Sequence, residues 1–155
     1  MEKQMDGRNN YDVTNAQRFA LLCYWARFLG FAASVNMGGQ SVVVPDPSDA
    51  LERQLATIFG DSPRLPLARF FDLLGRSCPV LEGGRVRREV EERLKAKRPG
   101  NQISISTGLA LWRLEDRKLI KLDHLSDAET WIMSTSIVTV GAGTRRLVSH
   151  VERIG

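Results

Sequence analysis

ISISTGLALWRLEDRKLIKLDHLSDAETWIM, residues 103–133, is the stretch that decides the fold of this chain. Its first half predicts a helix, because Ser104 or Ser106 can cap the exposed backbone amides of a first turn. Leu111 and Leu114 then recur at helical spacing on one side. These leucines give the helix an apolar side that can pack against the rest of the chain.

The second half of the stretch predicts a β-hairpin. Residues 119–122, LIKL, favour a first strand, and residues 130–133, TWIM, favour a second. The polar pair Ser126-Asp127 between them is typical of a turn. The sequence therefore predicts one helix followed directly by a hairpin with a polar tip.

Two further helices are predicted before this stretch. Pro63 and Pro66 introduce the first, LARFFDLLGRSC at residues 67–78. The second is basic and covers residues 85–97, and Pro-Gly-Asn at residues 99–101 ends it. Four apolar residues of the first helix are expected in the core: Phe70, Phe71, Leu73 and Leu74.

The basic segment, residues 85–98, accounts for the whole net charge of the chain. The formal charge of the 155 residues is +4, and residues 85–98 hold seven Lys or Arg against three Glu, which is also +4. Such a concentrated basic segment attracts phosphates through counterion release. The alternative is a solvated helix with i,i+4 ion pairs such as Glu89–Arg93 and Glu91–Lys95.

An N-terminal unit with a helix, a hairpin and a second helix is predicted for residues 13–62. Thr14 and Gln17 match a capping box for the first helix, which Gly30 ends, and residues 31–45, FAASVNMGGQSVVVP, favour a hairpin with a glycine turn. Ser48 is expected to cap the second helix, DALERQLATIF. The first helix has an apolar stripe of Phe19, Leu22, Cys23, Ala26 and Leu29.

The N-terminal unit and the opening stretch share a short approximate match, ARFLGFA at residues 26–32 beside LEDRKLI at 114–120. It suggests two related helix-and-hairpin units, of which the first is an incomplete winged-helix-like unit. Residues 1–12 are polar and are expected to be mobile. The predicted division is therefore residues 1–12, 13–62 and 63–155.

A terminal β-hairpin is predicted from SIVTV at residues 136–140 and RRLVSHVERI at 145–154, joined by a glycine-containing turn. Alternation in the second strand puts Leu147 and Val151 on one face. It puts Val148 on the other face. The hairpin can extend the preceding sheet or pair with another chain.

Three helices followed by a hairpin, over residues 66–134, is the element order of winged helix-turn-helix domains. From Pro66 to Met133 the chain resembles that superfamily, and STGLALWRLEDRKLIKL is similar to the junction of recognition helix and wing in MarR-like bacterial regulators. It departs from them in its longer linker KRPGNQ, its charged second helix and Lys118, where that family often has glycine. The chain also resembles accessory winged-helix proteins of bacterial DNA-modification or phage-defence clusters. The expected fold is α+β, a winged helix-turn-helix with an additional N-terminal helix-hairpin unit and a C-terminal β-hairpin.

The resemblance implies a protein that binds double-stranded DNA, as a regulator or as a subunit of a DNA-acting assembly. Hydroxyls at the start of the third helix suit phosphate oxygens, and arginines suit a phosphate or a guanine. For Arg113 the alternative is an ion pair with Glu115 or Asp116. The candidate DNA-binding residues are Arg85, Arg87, Arg88, Ser104, Ser106, Thr107, Arg113 and Arg117.

The alternative function is a protein-protein scaffold or dimerisation subunit that does not bind DNA. Asp123, Asp127 and Glu129 make the hairpin tip acidic, which disfavours minor-groove contact and favours a protein partner. The N-terminal unit also has many aromatics for its size, and these form an interface with a homodimer partner or a larger complex if nothing covers them. They are Tyr24, Trp25, Phe28 and Phe31.

No catalytic, metal or cofactor site is expected. His124 and His150 lie in no metal-ligand spacing, and Ser149 and His150 should point to opposite faces of a strand. Free cysteines without disulfide or zinc spacing indicate small buried side chains. No apolar run is long enough to span a bilayer and the N-terminus is polar, so the expected location is the cytoplasm, without membrane contact.

Overall fold

The computed structural model describes residues 15–95, 97–134 and 145–154. Within these ranges the chain forms six helices and several small antiparallel sheets, so the α+β class is confirmed. The predictions for residues 1–12, for Thr14 and for a strand at 136–140 lie outside the described residues. The helices are α1 (Ala16–Phe28), α2 (Ser48–Glu52), α3 (Leu55–Phe59), α4 (Leu67–Ser77), α5 (Arg85–Glu92) and α6 (Ile105–Asp116). The strands are β1 (Ala32–Met37), β2 (Gln40–Pro45), β3 (Arg64–Pro66), β4 (Ile120–Asp123), β5 (Trp131–Ser134), β6 (Arg145–Val148) and β7 (His150–Arg153).

The predicted N-terminal helix and hairpin form as α1, β1 and β2. Asn15 caps α1, since its side chain accepts a hydrogen bond from the backbone N–H of Arg18 at 2.9 Å. Gly38 and Gly39 both have positive φ, which gives the hairpin the tight turn that matches strand twist. The predicted apolar stripe of α1 is not part of the core, since no residue of this helix is buried.

The segments ARFLGFA and LEDRKLI end their helices in the same way. In each, an N–H beyond the helix bonds back to a carbonyl five residues earlier, which is the Schellman arrangement. These bonds are Phe31 N–H to Ala26 O at 2.7 Å and Leu119 N–H to Leu114 O at 3.0 Å. The residue in the left-handed conformation is Gly30 in the first segment and Lys118 in the second, with φ of 82° and 59°. The short match therefore reflects a shared helix-to-strand junction.

The single helix predicted for residues 49–59 is two helices, α2 and α3. The break follows from a tightened turn, in which the N–H of Gln54 bonds to the carbonyl of Leu51 at 3.0 Å, three residues back. Ser48 is the first residue of α2 rather than its cap. Its hydroxyl donates to Asp46 Oδ1 at 2.5 Å.

The core lies between α2, α3, α4, α6 and the strands that follow. Phe70, Phe71 and Leu74 of α4 are buried as predicted, and Leu73 is partly buried against the same cluster. Apolar residues of the predicted N-terminal unit join this core together with those of α6. They are Leu51, Leu55, Ile58 and Phe59.

A close backbone contact fixes the loop between α4 and α5. Gly75 on α4 lies directly against Gly83 and Gly84, so that a Cβ at position 75 would collide with their backbone. Gly83 itself has a positive φ of 76°, which favours glycine. This contact holds Glu82 at the start of α6.

Strands β4 and β5 form where the hairpin of residues 119–133 is predicted, but they do not pair with each other. β4 pairs antiparallel with β7, and β5 pairs antiparallel with β6. The seven residues between β4 and β5 are more than a tight hairpin turn needs, and the C-terminal segment offers a partner to each strand. The first sheet has the order β3-β7-β4, in which β3 is an edge strand that the sequence pattern did not predict.

The C-terminal segment changes face at Ser149, which separates β6 from β7. Val148 and Val151 are both fully buried, whereas the side chain of Leu147 is 47% exposed. The predicted alternation, with Leu147 and Val151 on one face, is therefore wrong. An interruption of one residue reverses the period of a strand, because that period is two.

The helix order α4, α5, α6 followed by β4 agrees with the predicted order. The pairing of β5 with β6 differs from a simple wing hairpin, and the winged-helix arrangement stays a prediction. Among the helices of the described ranges, none combines the length and apolar character needed to cross a membrane.

Candidate nucleic-acid interface

A buried carboxylate organises the start of α6. Glu82 is 4% exposed and accepts hydrogen bonds from the backbone N–H of Ser104 at 2.7 Å and from its hydroxyl at 3.0 Å. It also accepts one from the hydroxyl of Thr107 at 2.5 Å and one from the guanidinium of Arg98 at 2.9 Å. A carboxylate at the positive end of a helix is stabilised by the exposed amides there. Glu82 therefore connects the loop before α5, the segment after it and α6.

The hydrogen bonds at this site keep Glu82 ionised. Burial alone would raise its pKa, but the bonds from Thr107 and Ser104 and the charge of Arg98 outweigh burial and lower the pKa below its ordinary value. Glu82 is consequently a carboxylate at neutral pH.

Two of the three predicted phosphate-binding hydroxyls are engaged with Glu82. Ser104 is 6% exposed and caps α6, and Thr107 is fully buried. Both hydroxyls point into the protein in this conformation. Ser106 is partly exposed, and its hydroxyl lies 3.4 Å from that of Ser104.

The two predicted arginines at the C-terminal end of α6 are paired with acidic residues in α2 and just before it. Arg113 pairs with Asp46, whose side chain is 6% exposed, and neither Glu115 nor Asp116 is its partner. Arg117 pairs with Glu52 at 2.7 Å and with Asp49 at 3.4 Å. The slight burial of Arg117 would lower its pKa, but its hydrogen bonds and charge contacts with these carboxylates raise it. This face of α6 therefore carries internal ion pairs.

The basic segment contains internal ion pairs as well. Arg85 pairs with Glu89 at 2.6 Å, and Arg87 pairs with Glu91 at 2.7 Å. These i,i+4 pairs therefore have an arginine as their first residue, and within the described residues the predicted Glu89–Arg93 pair does not form. Arg98 beyond α5 bonds to Glu91 at 2.8 Å as well as to Glu82.

Three cations of the basic segment form no ion pair within the described part of the chain. They are Arg88, Arg93 and Lys97, and all three are exposed. Arg88 and Lys97 line one groove beside α5, which has a volume of about 320 Å³. Of the candidate arginines on α5, Arg88 is therefore the one left available to an external anion.

The acidic tip between β4 and β5 is partly neutralised. Asp123 contacts Arg64 at 3.3 Å and Lys121 at 3.2 Å. Asp127 and Glu129 remain exposed, with no ion pair within the described residues. The tip thus remains acidic.

Ser149 and His150 are closer than strand alternation predicts, because the strand is interrupted at Ser149. The Ser149 hydroxyl lies 3.0 Å from Nδ1 of His150, so the expectation that they face apart is wrong. Ser149 is only 2% exposed, and its hydroxyl accepts a bond from the N–H of Leu125 at 2.8 Å. These contacts give Ser149 a role in holding the loop after β4.

The α1 helix presents a broad band of exposed apolar side chains. Trp25 is 53% exposed, and Phe28 is 63% exposed. Trp25 packs edge-on against Phe28 and Tyr24, with distances between ring centroids of 5.6 Å and 5.7 Å. Seven large apolar residues of α1 and its cap are about half exposed or more: Phe19, Leu21, Leu22, Tyr24, Trp25, Phe28 and Leu29.

Sequence patterns did not reveal the two acidic residues on which this region depends. Glu82 stands alone before a glycine pair, and Asp46 stands between two prolines. Both positions look like solvated turns. The glycine pair that follows Glu82 predicts a turn, and a turn does not indicate that the carboxylate is buried.

Comparison with known proteins identifies a family for the chain. No curated protein and no solved structure matches the chain. The DpdG-like family matches residues 1–128, which extend from the N-terminus through α6 and β4 into the acidic tip. This agrees with the expected resemblance to accessory proteins of DNA-modification clusters. The chain therefore belongs to the DpdG-like family, a family of DNA-modification clusters.

Proposed function

We propose that this protein is a non-enzymatic subunit of a DNA-modification assembly and that it binds double-stranded DNA through residues 85–98. The observation that carries the proposal is the set of exposed cations in this segment that have no ion-pair partner among the described residues. Arg88, Arg93 and Lys97 gain a counter-charge when a phosphate approaches them. Membership of the DpdG-like family supports the DNA-modification setting.

The DNA-binding surface is centred on α5 and the segment after it rather than on α6. Arg113 and Arg117 already have carboxylate partners, and a phosphate must displace those partners before it can bind. The hydroxyls of Ser104 and Thr107 are held by Glu82. A subunit that contacts the DNA backbone fits this arrangement better than a regulator that reads bases with α6.

The test is a DNA-binding titration at 50 and 200 mM salt. If the three cations neutralise two or three phosphates between them, affinity should fall about 12- to 40-fold between these concentrations, from a slope of about −1.8 to −2.7. For any substitution of a cation in residues 85–98, Arg69→Gln is the matched control, because Arg69 is exposed on α4 and has no ion pair within the described residues. A protein that leaves DNA unretarded at 50 mM salt overturns the proposal.

A second candidate function, as a dimerisation subunit, is favoured by the exposed face of α1. We propose a second copy of this chain as its partner. Aromatic side chains have roughly 150–250 Å² each, and with the three leucines taken at the lower end of that range, seven half-exposed side chains offer about 600 Å². A stable interface needs about 800 Å² per partner, and each α1 helix supplies most of that area.

The dimer is tested by light scattering during size exclusion, at several protein concentrations. The expected mass is twice the 17.4 kDa of one chain. Trp25→Ser should shift the protein towards the monomer. Met37→Ser is the control, since Met37 is also exposed, at 61%, but lies at the hairpin turn. A wild-type protein that remains monomeric at about 100 μM refutes this second function.

A further inference from the structure

We infer that the groove beside α5 binds a single phosphate group of the DNA backbone between Arg88 and Lys97. The inference rests on the proposed DNA binding and narrows it to a site. Arg88 lies on α5 and Lys97 lies in the segment that follows it, and both line the same groove. These two cations repel each other, and a phosphate between them attracts both.

The other two cations of the groove hold its shape. Arg87 and Arg98 both bond to the same oxygen of Glu91, at 2.7 and 2.8 Å. Arg98 also bonds to Glu82 and to the backbone carbonyl of Gln102. Because Arg98 has three partners and Arg87 is held by Glu91, these arginines fix the groove wall instead of contacting a ligand.

The charge balance of the groove favours an anion. Its lining has four cations and two carboxylates, Glu91 and Glu92, which leaves a net charge of +2. Glu91 and Glu82 together compensate Arg87 and Arg98, so the remaining positive charge lies at Arg88 and Lys97, and Glu92 offsets part of it. An arginine binds two phosphate oxygens with parallel hydrogen bonds, and a lysine adds a point charge.

The size of the groove also suits a phosphate. The groove is open to solvent and its volume of about 320 Å³ is well above the roughly 10–15 Å³ that one water molecule needs by the same measure, so a phosphate can enter with part of its hydration shell. Leu94 supplies an apolar part of the lining. A deoxyribose next to the bound phosphate can contact this side chain.

The test compares Arg88→Gln, Lys97→Gln and their double variant for DNA affinity over a salt series. Each single variant should weaken binding about tenfold at 50 mM salt and reduce the salt slope by about 0.9. Since both side chains contact one phosphate, the double variant should bind little worse than either single variant. Arg69→Gln should bind DNA as the wild type does. All positions are exposed, so circular dichroism should report the same fold for all proteins.

Failure of this site and failure of DNA binding give different results. If the wild type binds DNA and both single variants bind equally well, the site is refuted while DNA binding stands. If the two single effects multiply in the double variant, the cations contact separate phosphates and the shared site is refuted. A titration with inorganic phosphate, followed by NMR, distinguishes free phosphate from a phosphate of the DNA backbone as the ligand. If the protein binds phosphate through Arg88 but does not bind DNA, both the DNA backbone as the ligand and the proposed DNA binding are refuted.

Discussion

Replacing Glu82 with glutamine should destabilise the protein by about 2–3 kcal/mol. The carboxylate accepts four hydrogen bonds in a buried site. The amide has the same shape but is neutral and offers one acceptor oxygen instead of two. A hydrogen bond to a charged group contributes about 1.5–3 kcal/mol, against 0.5–1.5 kcal/mol for a neutral one. The loss over four bonds is about 4 kcal/mol, and rotation of the Ser104 and Thr107 hydroxyls recovers part of it.

The assay is urea and thermal unfolding of the wild type, Glu82→Gln and Glu92→Gln. For a protein of this size the Glu82 variant should melt roughly 4–12 °C lower. Glu92 is the control, because it is exposed and has no ion pair within the described residues. Its replacement should change the free energy of unfolding by less than about 0.5 kcal/mol.

The pH dependence supplies a second readout. The pKa of Glu82 is lowered by folding, so its contribution to stability is complete above the ordinary glutamate pKa of about 4.3 and is lost as the pH falls through the folded pKa. The difference between wild type and Glu82→Gln should therefore be full at pH 7 and should narrow below pH 4.3. Equal unfolding midpoints for the two glutamine variants at pH 7 would refute the reasoning, and so would a difference that stays constant on acidification.

Three further substitutions test the packing and the helix ends. Gly75→Ala should lower the free energy of unfolding in urea by about 3 kcal/mol, because the added methyl meets the backbone of the loop before α5. The methyl added by Gly100→Ala enters open space, so this control should change the free energy of unfolding by less than about 0.5 kcal/mol. Equal effects of the two substitutions would disprove the close contact. Lys118→Gly should stabilise the protein by about 1 kcal/mol, since glycine adopts a φ of 59° without strain, and a lower melting temperature would contradict this. A double-mutant cycle on Glu115 and Arg146, which bond at 2.9 Å, should give a coupling energy of about 1 kcal/mol, and a coupling near zero would mean that the pair contributes no stability.

Local signals predicted the helices and turns well. Gly30 ends α1, Gly38 and Gly39 form the hairpin turn, and Ser104 caps α6, each at the position where the residue type favours that geometry. These features depend on a few neighbouring residues. They can therefore be predicted from a single sequence.

Long-range partners were not predictable in the same way. The pairing of β4 and β5 with the C-terminal segment depends on which strands meet in space, and the sequence spacing of residues 119–133 favours a local hairpin instead. The same limit applies to the candidate site. Arg113 finds Asp46, which is 67 positions away, and Thr107 finds Glu82. Charge patterns indicate which residues need partners, but only the fold determines which partners they meet.

The strand β7 lies between β3 and β4, which precede it by many residues. In synthesis, β3 and β4 leave the ribosome early and carry unpaired edges until residues 150–153 have also emerged. Pairing over such sequence separations is slow, because the loop-closure entropy must be overcome before the contacts form. The nascent chain should therefore hold helices α2 to α6 in a loosely packed state while the sheet is incomplete. During that interval its exposed strand edges make it prone to aggregation.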